Sequence, residues 1–323
     1  MTIEELIEAK LEAKKKKEVF RITSWAIYMV LLFSFCALLY KAITTTGLYS
    51  FGDFASLLAF LLILLGLVSC ANNYCQKEYY KALDHYKSCY IEYFVVNGLS
   101  DRFTNVKYSQ DSTLDYKELK ASHMLKVFEN DDISSCDMFT GTYSNVNFSQ
   151  SNLHVATYEI VNHETKKLAW KQVYWGRWIA TDINKPFKGD IEVATKDFKE
   201  TDIPIYLFDQ TTDEVRDTKI KNEEFEKSFN VFAQYDSDVK ELLTPKVVEN
   251  FVSINNRYEG YFLCGFSKDK MYIGIQDDFI PGDPYKKLDE EKEKERINKE
   301  MEIITFFIDN FASKKQKKGN NKQ

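Results

Sequence analysis

Two stretches decide the architecture of this chain: ITSWAIYMVLLFSFCALLY, residues 22–40, and FASLLAFLLILLGLVSCANNYC, residues 54–75. Neither contains a charged side chain. At a rise of about 1.5 Å per residue, each is long enough to cross a hydrocarbon core of roughly 30 Å. Buried helices of a soluble protein rarely run so far without a charge, so both are read as membrane spans, over 22–43 and 54–75.

The first span follows a twenty-one-residue charged segment and is itself followed by a second span, which disfavours a cleaved signal sequence. The lipoprotein-like run Leu67-Val68-Ser69-Cys70 ends the second span and is read as coincidence. Six basic residues precede the first span, and Lys77, Lys81 and Lys87 follow the second. The loop 44–53 contains no basic residue and Lys41 stands just before it. Positive flanks stay inside, so the expected localisation is a cell (inner or plasma) membrane, multi-pass, with both termini cytoplasmic.

Composition describes the remainder. Net charge is −6 over 323 residues. Residues 1–21 contribute +1 and the tail 313–323 contributes +5, leaving −12 for the body between them. An acidic body repels a phosphate backbone, so nucleic acid is not an expected partner. The six cysteines form no CxxC pair, and free thiols are the expectation.

Beyond the second span, Tyr79, Leu83, Tyr86, Tyr90 and Tyr93 recur at spacings of four and three, extending the helix as a stalk over 76–97, to a stop at Asn97-Gly98. Residues 1–21 form an amphipathic helix with Ile3, Leu6, Ile7, Leu11 and Ala13 on one face, opened by a Thr2–Glu5 capping box. The stalk helix is expected to pack against it, with a homo-oligomer through the tyrosine stripe as the alternative.

Residues 98–312 read as an α+β domain with a mainly antiparallel sheet. A helix is expected over 115–128. A hairpin joins 153–160 to 168–180, strands follow at 191–194, 203–208 and 230–233, and a last hairpin joins 261–266 to 271–275. Thr244-Pro245 starts a helix with Val248, Phe251 and Val252 inward, and Asp283-Pro284 opens a final one. The charged half of that helix, 286–300, is expected to be solvated. Met301, Ile304, Phe307 and Phe311 form its packing stripe, and the lysine tail 313–323 is expected to be free.

The phosphate-loop, dinucleotide, zincin and serine-hydrolase signatures are all missing. His85, His123, His154 and His163 are scattered, and Asp236, Asp238 and Glu241 could hold a cation but are more commonly used as helix-capping acids. No cofactor, metal site or catalytic residue is assigned. Trp170, Tyr174, Trp175 and Trp178 concentrate three of the four tryptophans in nine residues. Strand alternation puts Trp170, Tyr174 and Trp178 on one face, either as sheet core or as a binding surface.

The tract Phe225-Glu226-Lys227-Ser228-Phe229-Asn230-Val231-Phe232, with Leu242-Leu243-Thr244-Pro245 and Phe251 after it, resembles the family labelled domain of unknown function 3137. Met138-Phe139-Thr140-Gly141 and Gly176-Arg177-Trp178 resemble further pieces of it. Tyr235, Lys240 and Glu241 depart from its pattern. The resemblance covers roughly 130–280 and implies a bacterial two-span protein with a cytoplasmic α+β domain. Phe225, Phe229, Val231, Leu242, Leu243, Thr244 and Pro245 carry it as structural residues. The leading expectation is a non-enzymatic anchor, scaffold or accessory protein in the lipid bilayer with a protein partner. The alternative is a membrane-proximal enzyme or ligand-binding module using strand 170–178 and nearby acids.

Overall fold

The computed structural model describes residues 1–44, 51–111, 114, 116–125, 127, 129–162, 167–183, 187–196, 216–217, 220–256, 260–277 and 282–311. The expected strand 203–208, most of the loop 44–53, the turn at His163 and the lysine tail lie outside them. The chain divides into two units, Met1–Asn97 with Pro281–Glu293, and Gly98–Ile280 with Lys294–Gln323.

The first unit is built on two long helices, α1 (Ile3–Thr44) and α2 (Phe51–Tyr90), with a π-helical turn, Ile91–Asn97, ending α2. Both are long and apolar enough to cross a membrane, and none of the most apolar window of either is buried in the protein. The capping box forms reciprocally: the Thr2 amide donates to Glu5 at 2.8 Å and the Glu5 amide to Thr2 Oγ1 at 3.3 Å. The helices are joined by a polar clamp, in which the hydroxyls of Ser24 and Thr23 reach Asn72 Oδ1 at 2.9 and 3.3 Å. Phe20 stacks on Tyr79 one turn further out.

The buried face of the N-terminal segment is Leu6, Ala9 and Ala13, whereas Ile7 and Leu11 are exposed. This corrects the expected face. Leu6, Ala9 and Ala13 lie within about 60° of one another around the helix, and Ile7 and Leu11 sit roughly a third to half a turn away. Tyr86 and Tyr90 are buried within the chain, and Tyr93 donates to Glu290 at 2.7 Å.

The second unit is α+β, as the alternation predicts. Its strands are β1 (Thr104–Ser109), β2 (Asp132–Tyr143), β3 (Val146–Asn162), β4 (Lys167–Asp182), β5 (Ile191–Thr195), β6 (Arg216–Asp217), β7 (Phe229–Ala233), β8 (Phe262–Ser267) and β9 (Lys270–Ile275). They form one sheet in the order β1-β2-β3-β4-β9-β8-β5-β7-β6, with every pair antiparallel. Both expected hairpins form, β3–β4 and β8–β9.

Residues 114–127, including the short helix α3 (Tyr116–Ser122), cover the centre of one sheet face. There Leu119, Met124 and Leu125 pack with Leu153, Trp178 and Leu263. The expected helix 115–128 is thus shorter, because His123 adopts a left-handed φ of 57° and ends it.

The opposite face is covered by α4 (Glu223–Ser228), α6 (Pro245–Asn255) and α7 (Glu290–Phe311). Phe251 is the hub of an aromatic cluster, with ring centroids 6.2 Å from Phe225, 5.9 Å from Phe229, 5.8 Å from Phe262 and 5.7 Å from Phe307. Pro245 takes the first position of α6, where its missing N–H costs nothing.

Helix α7 begins at Glu290, not at Asp283. The Asp283 carboxylate accepts from the Tyr285 amide at 2.8 Å in a tight turn, and Asp289 caps the helix by accepting from the Lys292 amide. Its charged half is only partly solvated, since Ile297 is buried and Glu300 is 14% exposed.

Candidate functional site

Two of the aromatic residues on β4 are interior. Tyr174 and Trp178 are buried, with their rings 5.7 Å apart edge to face, and the Tyr174 hydroxyl donates to the Arg177 carbonyl at 2.6 Å. Neither can form the exposed groove that a binding surface requires. A register shift between Val155 and Ala156 interrupts the alternation and turns both Val173 and Tyr174 into the core. The alternation that grouped Trp170 with Tyr174 and Trp178 therefore does not carry across this shift. The Trp170 side chain lies outside the described residues.

The motif residues are also packing residues. Phe225, Phe229, Val231, Leu242 and Leu243 are buried, while Thr244 and Pro245 are exposed at the start of α6. Asp238, on α5 (Asp236–Leu242), accepts from the amides of Lys188 at 2.8 Å and Gly189 at 3.2 Å, so this acid clamps a loop. Among the described residues no group of three metal-ligating side chains forms.

The Gly176-Arg177-Trp178 step explains itself in three dimensions. Gly176 has φ 136°, and a Cβ there would lie 2.0 Å from the Ile275 carbonyl oxygen, so no other residue fits. Arg177 beside it is wholly buried. It donates through Nε to the Asp277 carbonyl and through Nη2 to the Asp277 carboxylate, both at 3.1 Å, and its Nη1 lies 3.8 Å from Glu300 on α7. Burial pushes the Glu300 carboxyl upward, and the charges of Arg177 and Arg296 oppose the shift. This is an internal ion network.

Two polar features are not absorbed by packing. On β5, Glu192 is completely buried and neither carboxylate oxygen has a hydrogen-bond partner among the described residues. Burial alone raises its pKa to about 8, so it is neutral over much of the ordinary range. Two residues earlier on the same face, Asp190 lies 2.6 Å from His123 Nδ1. Neither is legible in the sequence, because a charged residue inside Ile191-Glu192-Val193 ordinarily marks a solvent face.

The second feature is a shelf of 410 Å³ at one end of the α3-covered face. Register puts Lys107 beside Thr140, Thr140 beside Ser149, and Asp182 beside Lys270, all on that face. Glu118 of α3 forms its wall and pairs with Lys270 at 3.7 Å. Neighbouring Tyr272 has its pKa pushed to about 12, first by burial and then by nearby acids led by Glu118.

Residues 172–312 match the family model described as Protein of unknown function (DUF3137). No curated protein matches the chain. No solved structure matches it either.

Proposed function

We propose that this chain, read as a protein of the DUF3137 family, is a membrane anchor or accessory protein whose cytoplasmic α+β domain docks a protein partner. The observation that carries the reading is how the reactive-looking groups are used. Arg177 is held by Asp277 and Glu300, Asp238 by loop amides, and Tyr174 and Trp178 by the core, so they do not converge on a cleft. A domain with both central sheet faces filled, joined to two candidate spans, suits docking better than turnover. The cytoplasmic placement rests on the basic flanks of the spans.

The test is crosslinking in intact cells, followed by purification in mild detergent with both spans present. Recovery of one stoichiometric protein partner supports the reading, and recovery of none argues against it. Labelling of single cysteines placed in 98–312 should require a membrane-permeant reagent. Labelling by an impermeant one would overturn the orientation.

A further inference from the structure

We infer that the shelf beside α3 is a binding site for a small zwitterion of about dipeptide size, with its anionic end at Lys107 and its cationic end at Glu118 and Asp182. The central part of this sheet face is apolar and covered by residues 114–127, whereas its end across β1, β2, β3, β4 and β9 bears polar side chains and lacks that cover. The volume of 410 Å³ falls in the range of roughly 300–1,000 Å³ usual for ligand sites.

The charges in the shelf are segregated. Lys107, on the edge strand β1, is exposed, and its ammonium makes no hydrogen bond or ion pair among the described residues. On the far side, Lys270 is already neutralised, because Asp182 is its cross-strand partner and Glu118 lies 3.7 Å away. Two carboxylates against one ammonium leave that side one negative charge in excess. Between the ends stand hydroxyls and amides, including the pair Thr142 and Asn147 at 3.0 Å, which suit a peptide-like linker.

Spacing sets the ligand's size. Lys107 and Asp182 stand three strands apart, about 14 Å across the sheet at roughly 4.8 Å per strand. The lysine arm and the shorter carboxylate span part of that distance. The remainder fits two extended residues, about 7 Å long. A bipolar site of this kind rejects a simple anion or cation, because either end then meets an unpaired charge.

Isothermal titration of the full chain in nonionic detergent tests this, with glycylglycine as the probe and its N-acetyl and C-amide forms as controls. Saturable binding of glycylglycine is expected, weakened at least tenfold by either cap. Lys107→Met should erase the preference for free carboxylate over amide, and Asp182→Asn should reduce the preference for free amine over acetyl. No saturable binding of glycylglycine, or equal binding of the capped forms, would overturn the assignment. The comparison of caps uses the unmutated chain, so it does not depend on how the variants fold.

Discussion

The guanidinium of Arg177 lies 3.1 Å from the carboxylate of Asp277 with none of its own surface exposed, while Asp277 is 53% exposed. The two ends of this pair are therefore unequal. Removing the buried end by Arg177→Met leaves Glu300 facing a site without its nearest buried cation, and should cost about 3–5 kcal/mol. Asp277→Asn removes a partner that water can replace, so about 1 kcal/mol or less is expected. Denaturant unfolding followed by tryptophan emission would check both, and equal losses would contradict the asymmetry.

Gly176→Ala should damage folding more than most core truncations. The substitution imposes φ 136° on a residue with a Cβ and drives that atom to 2.0 Å from the Ile275 carbonyl. Backbone strain together with a forced shift of β9 should exceed about 3 kcal/mol. Thermal unfolding midpoints and expression yield are the measurements, and a variant with unchanged stability would show that the β4–β9 contact is looser than described.

Glu192 should make stability depend on pH. Below its unfolded value of 4.5 both states are protonated. Between 4.5 and about 8 the folded protein retains a proton that the unfolded chain has released, so stability falls as pH rises through that window, at up to about 1.4 kcal/mol per unit. Glu192→Gln should flatten this slope and be the more stable form at pH 8. Stability curves for the two proteins that stay parallel from pH 5 to 8 would refute the assignment.

In the membrane hairpin, Asn72→Leu should weaken the association of α1 and α2 by about 0.6–2 kcal/mol, since it removes the acceptor for both Ser24 and Thr23. Ser24→Ala should cost less. Its single hydroxyl hydrogen is shared between Asn72 and the Phe20 carbonyl, each at 2.9 Å. Disulfide trapping between cysteines placed on the two helices would rank the variants.

Phe251→Ala should cost about 3–5 kcal/mol, because the ring contacts phenylalanines from two helices and two strands besides its own helix. Phe251→Leu retains much of the volume and should lose less than half as much. Denaturation midpoints of the two variants would establish the order.

Legibility varied with the strength of the local pattern. The charge-free runs at 22–40 and 54–75, the Thr2–Glu5 box, the Thr244-Pro245 start and the two hairpins are short-range signals, and each forms as expected. Strands β1 and β2 are not signalled by periodicity, because TNVKYS and DISSCDMFTGTY mix polar and apolar residues without clean alternation. The start of α7 was displaced because Asp283-Pro284 has the same composition as a helix cap, yet closes a turn.

The sequence by itself determined two candidate spans, an α+β class and much of the apolar core, since hydrophobic length and periodicity depend only on neighbours along the chain. Only the tertiary structure decided which polar groups are spent and which are left over. Strand register brings Lys107, Thr140 and Asp182 to the uncovered end of one sheet face and drives Tyr174 and Glu192 into the covered part of that face. Whether a face is covered depends on segments distant in the chain, as where Leu119 meets Leu263, and that is information no local pattern holds.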